Sequence, residues 1–231
     1  MRCLKVALLT GSTRTSSPPV VLHPCVTAFV RHELERRGHT VSHINPMEFP
    51  LLEKPHFAYS QGKAPPNMKE IHTKLLNADC YVCVTPEYNH SPSPALLNIL
   101  NHFGSSTFSF KPSTIVTYSA GQWGGVRAGV ALRATLGEVG CLPVSAMIHI
   151  PRAQDVLDVD GTIISNQKNS DDPKEEINEE SRRWQTYCGR CFSQLEWWAD
   201  ATIRQRAILD PFTNESPIFV TSPEQRSAPS S

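Results

Sequence analysis

The sequence predicts an α/β fold in three layers, a five-stranded parallel sheet of order 2-1-3-4-5 with helices on both faces. Three observations predict it. Short apolar runs alternate five times with stretches of helical periodicity, the pattern of parallel strands joined by crossover helices. The run at 80–85 (CYVCVT) is apolar without alternation, as a strand buried on both faces requires. Three polar loops each follow such a strand and precede a helix; in a parallel sheet all three emerge at the carboxyl edge, where open α/β sheets bind ligands. Right-handed crossovers leave few topologies, and 2-1-3-4-5 is the natural order for five such units.

Residues 3–9 read as the first buried strand, and 18–37 as a helix that turns Leu22, Val26, Phe29 and Val30 inward. Gly38 is placed to end that helix, and 39–45 alternate as a strand does. Residues 46–66 form a proline-rich loop, long enough to be a lid or a structured excursion. A short helix is expected over 67–77, then the central strand at 80–85, with Pro86 stopping it. A helix at about 94–103 buries Leu96, Ile99, Leu100 and Phe103. It is followed by a strand at 113–118, a helix at 125–139 and a strand at 143–150. Beyond Pro151 the chain turns polar and acidic over 152–180, with a turn at Asp158-Val159-Asp160-Gly161. A long helix over roughly 174–206 carries Trp184, Cys188, Cys191, Leu195 and Trp198 in one stripe. Residues 1–206 thus form a single domain, and the proline- and serine-rich tail, 207–231, is expected to be disordered.

Composition narrows the function classes. The 231 residues carry 22 basic and 22 acidic side chains, which argues against a binder driven by charge onto nucleic acid or an anionic membrane. The apolar run at 3–9 leads straight into Gly11, without the h-region or cleavage site of a signal peptide, and nothing approaches the length of a membrane span. Seven scattered cysteines fit a reducing compartment, so the cytoplasm is expected.

The first loop, Gly11-Ser12-Thr13-Arg14-Thr15-Ser16-Ser17, opens a helix, where backbone N–H groups and the helix dipole favour an anion. Gly11 permits a tight turn, Ser12 and Ser17 offer hydroxyls, and Arg14 offers a forked cation. It lacks both the P-loop lysine and the Gly-x-Gly-x-x-Gly fingerprint, and an ordinary Ser/Thr-rich turn is the alternative. The second loop, Pro86-Glu87-Tyr88-Asn89-His90-Ser91, puts an aromatic ring at its tip that could lie against a flat ligand; a plain turn is the alternative. In the third, Ser119-Ala120-Gly121-Gln122-Trp123-Gly124-Gly125, the glycines admit close approach of the backbone to a ligand or simply shape a turn.

Together, Gly-Ser-x-Arg-x-x-Ser, Pro-Glu-Tyr-Asn-x-Ser and Ser-x-Gly-x-x-Gly-Gly-x-Arg-Ala resemble the NAD(P)H-dependent FMN reductase family, flavodoxin-like quinone, azo and chromate reductases. The resemblance covers about 3–151 and the helix near 190–206. It implies a flavodoxin-like fold and FMN as cofactor, the phosphate held by Ser12, Arg14 and Ser17. Pro86, Glu87, Tyr88 and Asn89 would pack on the isoalloxazine and ribityl, and Ser119, Gly121, Gly124 and Gly125, with Trp123, would close around the ring. It further implies NADPH or NADH as hydride donor to flavin N5 and a quinone-like, azo or metal-oxyanion acceptor. Tyr88, His90, Trp123 and Arg127 are then candidates to touch substrate, with a surface salt bridge the alternative for Arg127 and a solvated turn the alternative for His90. No side chain needs to act as nucleophile, because the cofactor carries the chemistry. A homodimer is implied too, although the family's Leu-Lys-Asn-x-x-Asp reads Leu96-Leu97-Asn98-Ile99-Leu100-Asn101 here and loses both charges. Pro18 and Pro19 after the first loop are also unusual. These departures motivate a rival, a flavin-binding redox-sensing interaction protein with little turnover; an electron-transfer flavodoxin is disfavoured by the neutral charge.

No metal site is expected. Cys80 and Cys83, three apart on a strand, point to opposite faces, and Cys188 and Cys191 sit within a helical stripe, so buried thiols are expected rather than a redox pair or a zinc site.

Overall fold

A computed structural model describes residues 2–15, 21–49, 51, 53–56, 63–164 and 179–212. Its elements run β1 Lys5–Thr10, α1 His23–Arg36, β2 Thr40–Ile44, α2 Pro66–Asn77, β3 Cys80–Tyr88, β4 Ser91–Pro92, α3 Pro94–Asn101, α4 Ser105–Phe108, β5 Pro112–Tyr118, α5 Val126–Glu138, β6 Leu142–Pro143, β7 Ile148–Ile150, α6 Ala153–Val156 and α7 Glu179–Ile208. The sheet runs β2-β1-β3-β5-β6, with β7 also on β5 and β4 folded back on β3. All pairs except β3–β4 are parallel. This is the flavodoxin-like arrangement expected, with helices on both faces, but in seven strands.

Side-chain alternation along the strands builds two cores. Leu4, Val6 and Leu8 turn to the face covered by α1 and α7, where Val26, Val30, Cys188, Phe192 and Leu195 meet them. Ala7 and Leu9 turn to the opposite face with Ile71, Leu75, Leu96, Ile99, Leu132 and Leu136 from α2, α3 and α5. Cys80 and Cys83 fall on opposite faces, as their spacing requires. Gly38, at φ 85°, ends α1 by donating its N–H to the Glu35 carbonyl. Among the described residues no helix is long and apolar enough to cross a membrane.

Four sequence expectations need correction. Pro86 does not stop the central strand. β3 runs through it to Tyr88, because Pro86 lies beyond Val84, the last β3 residue paired with β1, and its missing N–H costs no bond there. The single strand expected over 143–150 is broken into β6 and β7. Between them the side chains replace the ladder: Arg133 donates to the carbonyls of Val144 and Ser145, and Gln194 accepts the N–H of Ala146. Trp198 leaves the buried stripe of α7 and is 40% exposed; Phe192, Glu196 and Ala199 take the inner positions. The first helix begins at His23, and its expected first turn falls partly on 16–20, outside the described residues, as do 165–178 and 213–231.

The polar stretch after Pro151 is built into the fold as far as it is described. Asp158 accepts the N–H groups of Asp160 and Thr162, closing the turn, and Leu157 pairs with Ile163. Gly161 at φ 80° lies so close to α1 that a Cβ would stand 2.5 Å from the Phe29 nitrogen.

The long α7 is fixed by a buried ionic knot. Glu196, 6% exposed, accepts Arg37 Nε at 2.5 Å and Nη2 at 2.7 Å, and lies 3.0 Å from His39 Nε2. His39 Nδ1 accepts the Leu4 N–H, so its Nε2 carries the proton and donates to Glu196. Burial pushes the Glu196 carboxyl up, but the bonds from His39 and Arg37 outweigh it and hold it at about 2. Glu196→Gln leaves Arg37 buried without its counter-charge and should cost about 3 kcal/mol in urea denaturation. Because the folded carboxyl titrates below its unfolded value, this stabilisation is complete above the ordinary carboxylate range and is lost as pH falls toward 2. Wild type and variant should therefore converge in stability at the acid end.

Candidate functional site

β1, β3 and β5 are adjacent in the sheet, so the three loops stand side by side at its carboxyl edge. The first is pressed onto the second. The Gly11 N–H donates to the Val84 carbonyl at 2.8 Å, and a Cβ on Gly11 would lie 2.5 Å from Ser93 Oγ and 2.8 Å from Leu96 Cβ. Ser93 in turn donates its N–H to Thr85 Oγ1 and caps α3 by accepting the Leu96 N–H.

The second loop is a tight hairpin. Glu87 pairs with Pro92 and Tyr88 with Ser91, and Asn89 and His90 at its tip take left-handed φ values of 51° and 64°. Two successive positive φ values are the geometry of a two-residue hairpin turn. It turns Asn89 and His90 outward.

The third loop closes on β5 and β7. Thr117 Oγ1 donates to the Gly124 carbonyl at 2.6 Å, and the Ser119 hydroxyl donates to the Gly121 carbonyl at 2.9 Å. Gly124 and Gly125 have φ of 59° and 79°; a Cβ on them would press on Pro151 and Thr117 respectively. These two glycines are required by the protein's own packing.

The loops meet in one cleft of about 140 Å³. Ser12 and Arg14 line it from the first loop, Pro86, Glu87 and Tyr88 from the second, and Ser119 and Ala120 from the third. Two further residues that the sequence reading passed over stand there, Tyr118 and His23. Tyr118, 4% exposed at the end of β5, hydrogen-bonds with the buried Ser12 side chain, and burial pushes its phenol above the ordinary range. His23 opens α1; its Nδ1 is buried and has no partner among the described residues, and burial lowers its pKa, which keeps the ring neutral. Tyr118 carried a sequence signal, since a tyrosine ending a strand at the ligand edge is positioned to face the crevice. His23 carried none.

The remaining candidates lie elsewhere. Asn89, His90, Gly121, Trp123, Gly124, Gly125 and Arg127 do not line the cleft, and Ser17 is outside the described residues. Glu87 has a structural task besides its place in the wall. It accepts the backbone N–H of Arg127 at 3.1 Å and of Ala128 at 3.4 Å, and pairs with the Arg127 guanidinium at 2.9 Å. It thus caps α5, whose own N-cap, Gly125, has no side chain to offer. Burial pushes the Glu87 carboxyl up, and the bonds from Arg127 and the helix N–H groups reverse that and lower it. Arg127 also covers the Trp123 ring, 5.4 Å from its centroid. No group of three or more His, Cys, Asp or Glu among the described residues could hold a metal ion.

The donor set fits a flavin phosphate ligand: a cation at Arg14, hydroxyls at Ser12 and Tyr118, an unsatisfied ring nitrogen at His23, and aromatic and proline walls from Tyr88 and Pro86. Comparison with known proteins agrees. The family model described as NADPH-dependent FMN reductase matches residues 4–155. An NAD(P)H-dependent FMN reductase of Pseudomonas aeruginosa is 31% identical over 106 residues, 44% of this chain and 57% of that protein. A probable NADPH:quinone oxidoreductase of Oryza sativa subsp. japonica is 30% identical over 132 residues, 56% of this chain and 65% of that protein. The match therefore spans less than two thirds of either relative. The flavoenzyme NAD(P)H:(acceptor) oxidoreductase FerB from Paracoccus denitrificans shares the fold, with a TM-score of 0.65 over 85% of this chain and 98% of that one, at 19% identity.

Glu87→Ala should uncap α5 and lower stability by about 1–2 kcal/mol in chemical denaturation, and Glu87→Gln, which keeps an acceptor, by less.

Proposed function

The chain belongs to the NADPH-dependent FMN reductase family, and we propose that it is an NAD(P)H-dependent FMN-containing reductase whose acceptors are quinone-like, azo or metal-oxyanion compounds. The observation that carries this reading is the convergence of all three loops on one cleft, lined also by the buried His23 Nδ1, without a partner among the described residues, and by the Ser12–Tyr118 hydroxyl pair. Arg14 and Ser12, with Ser17 by family resemblance, bind the phosphate. Pro86, Tyr88 and the backbone at Ser119–Ala120 orient the ring system and exclude water from it, and His23 Nδ1 serves a polar atom of the bound group. When bound, FMN supplies the two-electron chemistry, accepting hydride from a nicotinamide and reducing the acceptor. Glu87, Gly124 and Gly125 hold the third loop and α5 in place.

Protein purified with excess FMN should retain a flavin absorbance near ~450 nm that bleaches within seconds of anaerobic NADPH addition. Ser12→Ala and His23→Leu should each weaken FMN binding by about tenfold, the scale of one hydrogen bond to a charged or buried group. Retained flavin that NADPH does not bleach would favour the redox-sensing alternative; no retained flavin would overturn the reading. Homodimerisation belongs to the same proposal. Val126 and Val130, one turn apart on α5, are 39% and 58% exposed and offer an apolar contact. Light scattering should give twice the chain mass of 25.7 kDa; a monomer would overturn it.

A further inference from the structure

On the far side of the third loop lies a second, larger cavity of about 520 Å³, bounded by that loop, β7 and the first turns of α7. None of its lining residues is shared with the cleft. Its walls are aromatic. Trp123 stands at one side, 59% exposed, with Arg127 behind it. Trp184 and Tyr187 stand at the other, their rings 5.6 Å apart at 83°, and Trp184 is fixed in turn by an edge contact with Phe29 at 6.2 Å. Aromatic walls on two sides of one cavity suit a planar guest.

The polar groups of the wall have definite directions. Thr117 Oγ1 lies 2.6 Å from the Gly124 carbonyl and 2.7 Å from His149 Nδ1. A hydroxyl has one proton, and the carbonyl can only accept, so Thr117 donates to Gly124 and His149 Nδ1–H donates to Thr117. Burial lowers the His149 pKa and keeps the ring neutral, which leaves Nε2 a bare acceptor. The Nδ1–Cε1 side of the ring faces β5 and α5, since a Cβ on Gly129 would lie 3.2 Å from Cε1. The Nε2–Cδ2 side is therefore the one turned to the cavity. Tyr187 Oη accepts the backbone N–H of His149 at 3.0 Å, and its own proton has no acceptor among the described residues. Besides the Gln122 amide, the Glu180 carboxylate and the indole N–H groups, the cavity thus offers an acceptor at His149 and a donor at Tyr187, both anchored on the same residue of β7, between aromatic faces. At the mouth Arg183, the lining cation among the described residues, is already paired with Glu179 and Glu180.

We infer that this cavity binds the base of an adenine nucleoside, whose amino group donates to His149 Nε2 and whose neighbouring ring nitrogen accepts from the Tyr187 hydroxyl. An aminopurine carries that donor beside that acceptor on one edge of a flat ring. The same base is present in a free adenine nucleoside and at one end of a pyridine nucleotide. The inference requires neither flavin binding nor turnover.

The test is calorimetric titration of the full chain with adenosine and with purine riboside, which lacks the amino donor. Adenosine should bind, purine riboside should bind about tenfold more weakly, and Tyr187→Phe should weaken adenosine by a similar factor while leaving the purine riboside's deficit in place. FMN binding, measured by flavin fluorescence on the same preparations, should be unchanged in Tyr187→Phe. If NADPH displaces adenosine, the pyridine nucleotide is the source of the base; if it does not, a free adenine nucleoside is. Absence of adenosine binding at millimolar concentration, or equal binding of the two nucleosides, would overturn the inference even where FMN is retained. Adenosine binding without FMN retention would overturn the flavin reading alone.

Discussion

The site depends on loop backbone pressed against its neighbours at the carboxyl edge of the sheet, closer than a Cβ would allow. Gly11 rests on the start of α3, Gly124 on the chain at Ile150–Pro151, and Gly125 on Thr117. Each contact joins a loop to a neighbouring element of the same edge. The loops consequently inherit their spacing from the sheet, about 4.8 Å per strand, instead of from their own flexible side chains. A binding cleft assembled from loops needs this kind of outside constraint, because ordering a loop residue costs about 1–2 kcal/mol of backbone entropy. Here the cost is met within the fold, before any ligand arrives.

Polar side chains at this edge act mostly on the scaffold. Glu87, on a loop facing the cleft, uses both oxygens on α5, and Thr117 holds the Gly124 carbonyl on one side and orients His149 on the other. The effect reaches both concavities: one hydroxyl fixes the shape of the third loop and also decides which nitrogen of His149 is left to accept. At the opposite end of the sheet Glu196 performs the corresponding service for α7, tying it to the α1–β2 turn through Arg37 and His39. The two carboxylates are both pulled below their ordinary range by cationic and N–H donors, against burial that pushes the other way.

The sheet, its order and most helix faces were legible because they follow from periodicity, which reports burial directly. Val26, Phe29 and Val30 turn inward as the 3.6-residue repeat requires, and the fully apolar run of β3 is buried on both faces. What periodicity could not show were features decided by partners distant in the chain. Pro86 reads locally as a strand stop, and only the end of β1 at Thr10 makes it harmless. The gap between β6 and β7 exists because Arg133 and Gln194, from two different helices, take over the backbone groups of Val144–Ala146. Trp198 fits the stripe by number, yet Ala199, one residue further along α7, takes the inner position. The motifs likewise marked three loops, but the place of each residue within them was not legible. Ser12, Arg14, Pro86, Tyr88 and Ser119 reach the cleft, whereas Gly124, Gly125 and Arg127 support it from behind. His23 was invisible because a histidine opening a helix has no pattern to mark it.

The cysteines sharpen the contrast between scaffold and site. Six of the seven are buried. Burial pushes the thiols of Cys80, Cys83 and Cys188 well above the ordinary range, and those of Cys141 and Cys191 to about 12 and about 11. Thiol–disulfide exchange needs a thiolate, so these groups are chemically quiet and behave as small apolar side chains. Cys191 shows how far this goes: its sulfur hydrogen-bonds Thr114 and the Ala146 carbonyl and serves only to seat α7 on the sheet. A thiol-based sensor therefore finds no support in the two Cys-x-x-Cys pairs. The loop edge, by contrast, brings together the Ser12 and Tyr118 hydroxyls, the exposed Arg14 and a buried His23 Nδ1 with no partner among the described residues, a setting suited to a bound group that carries the chemistry.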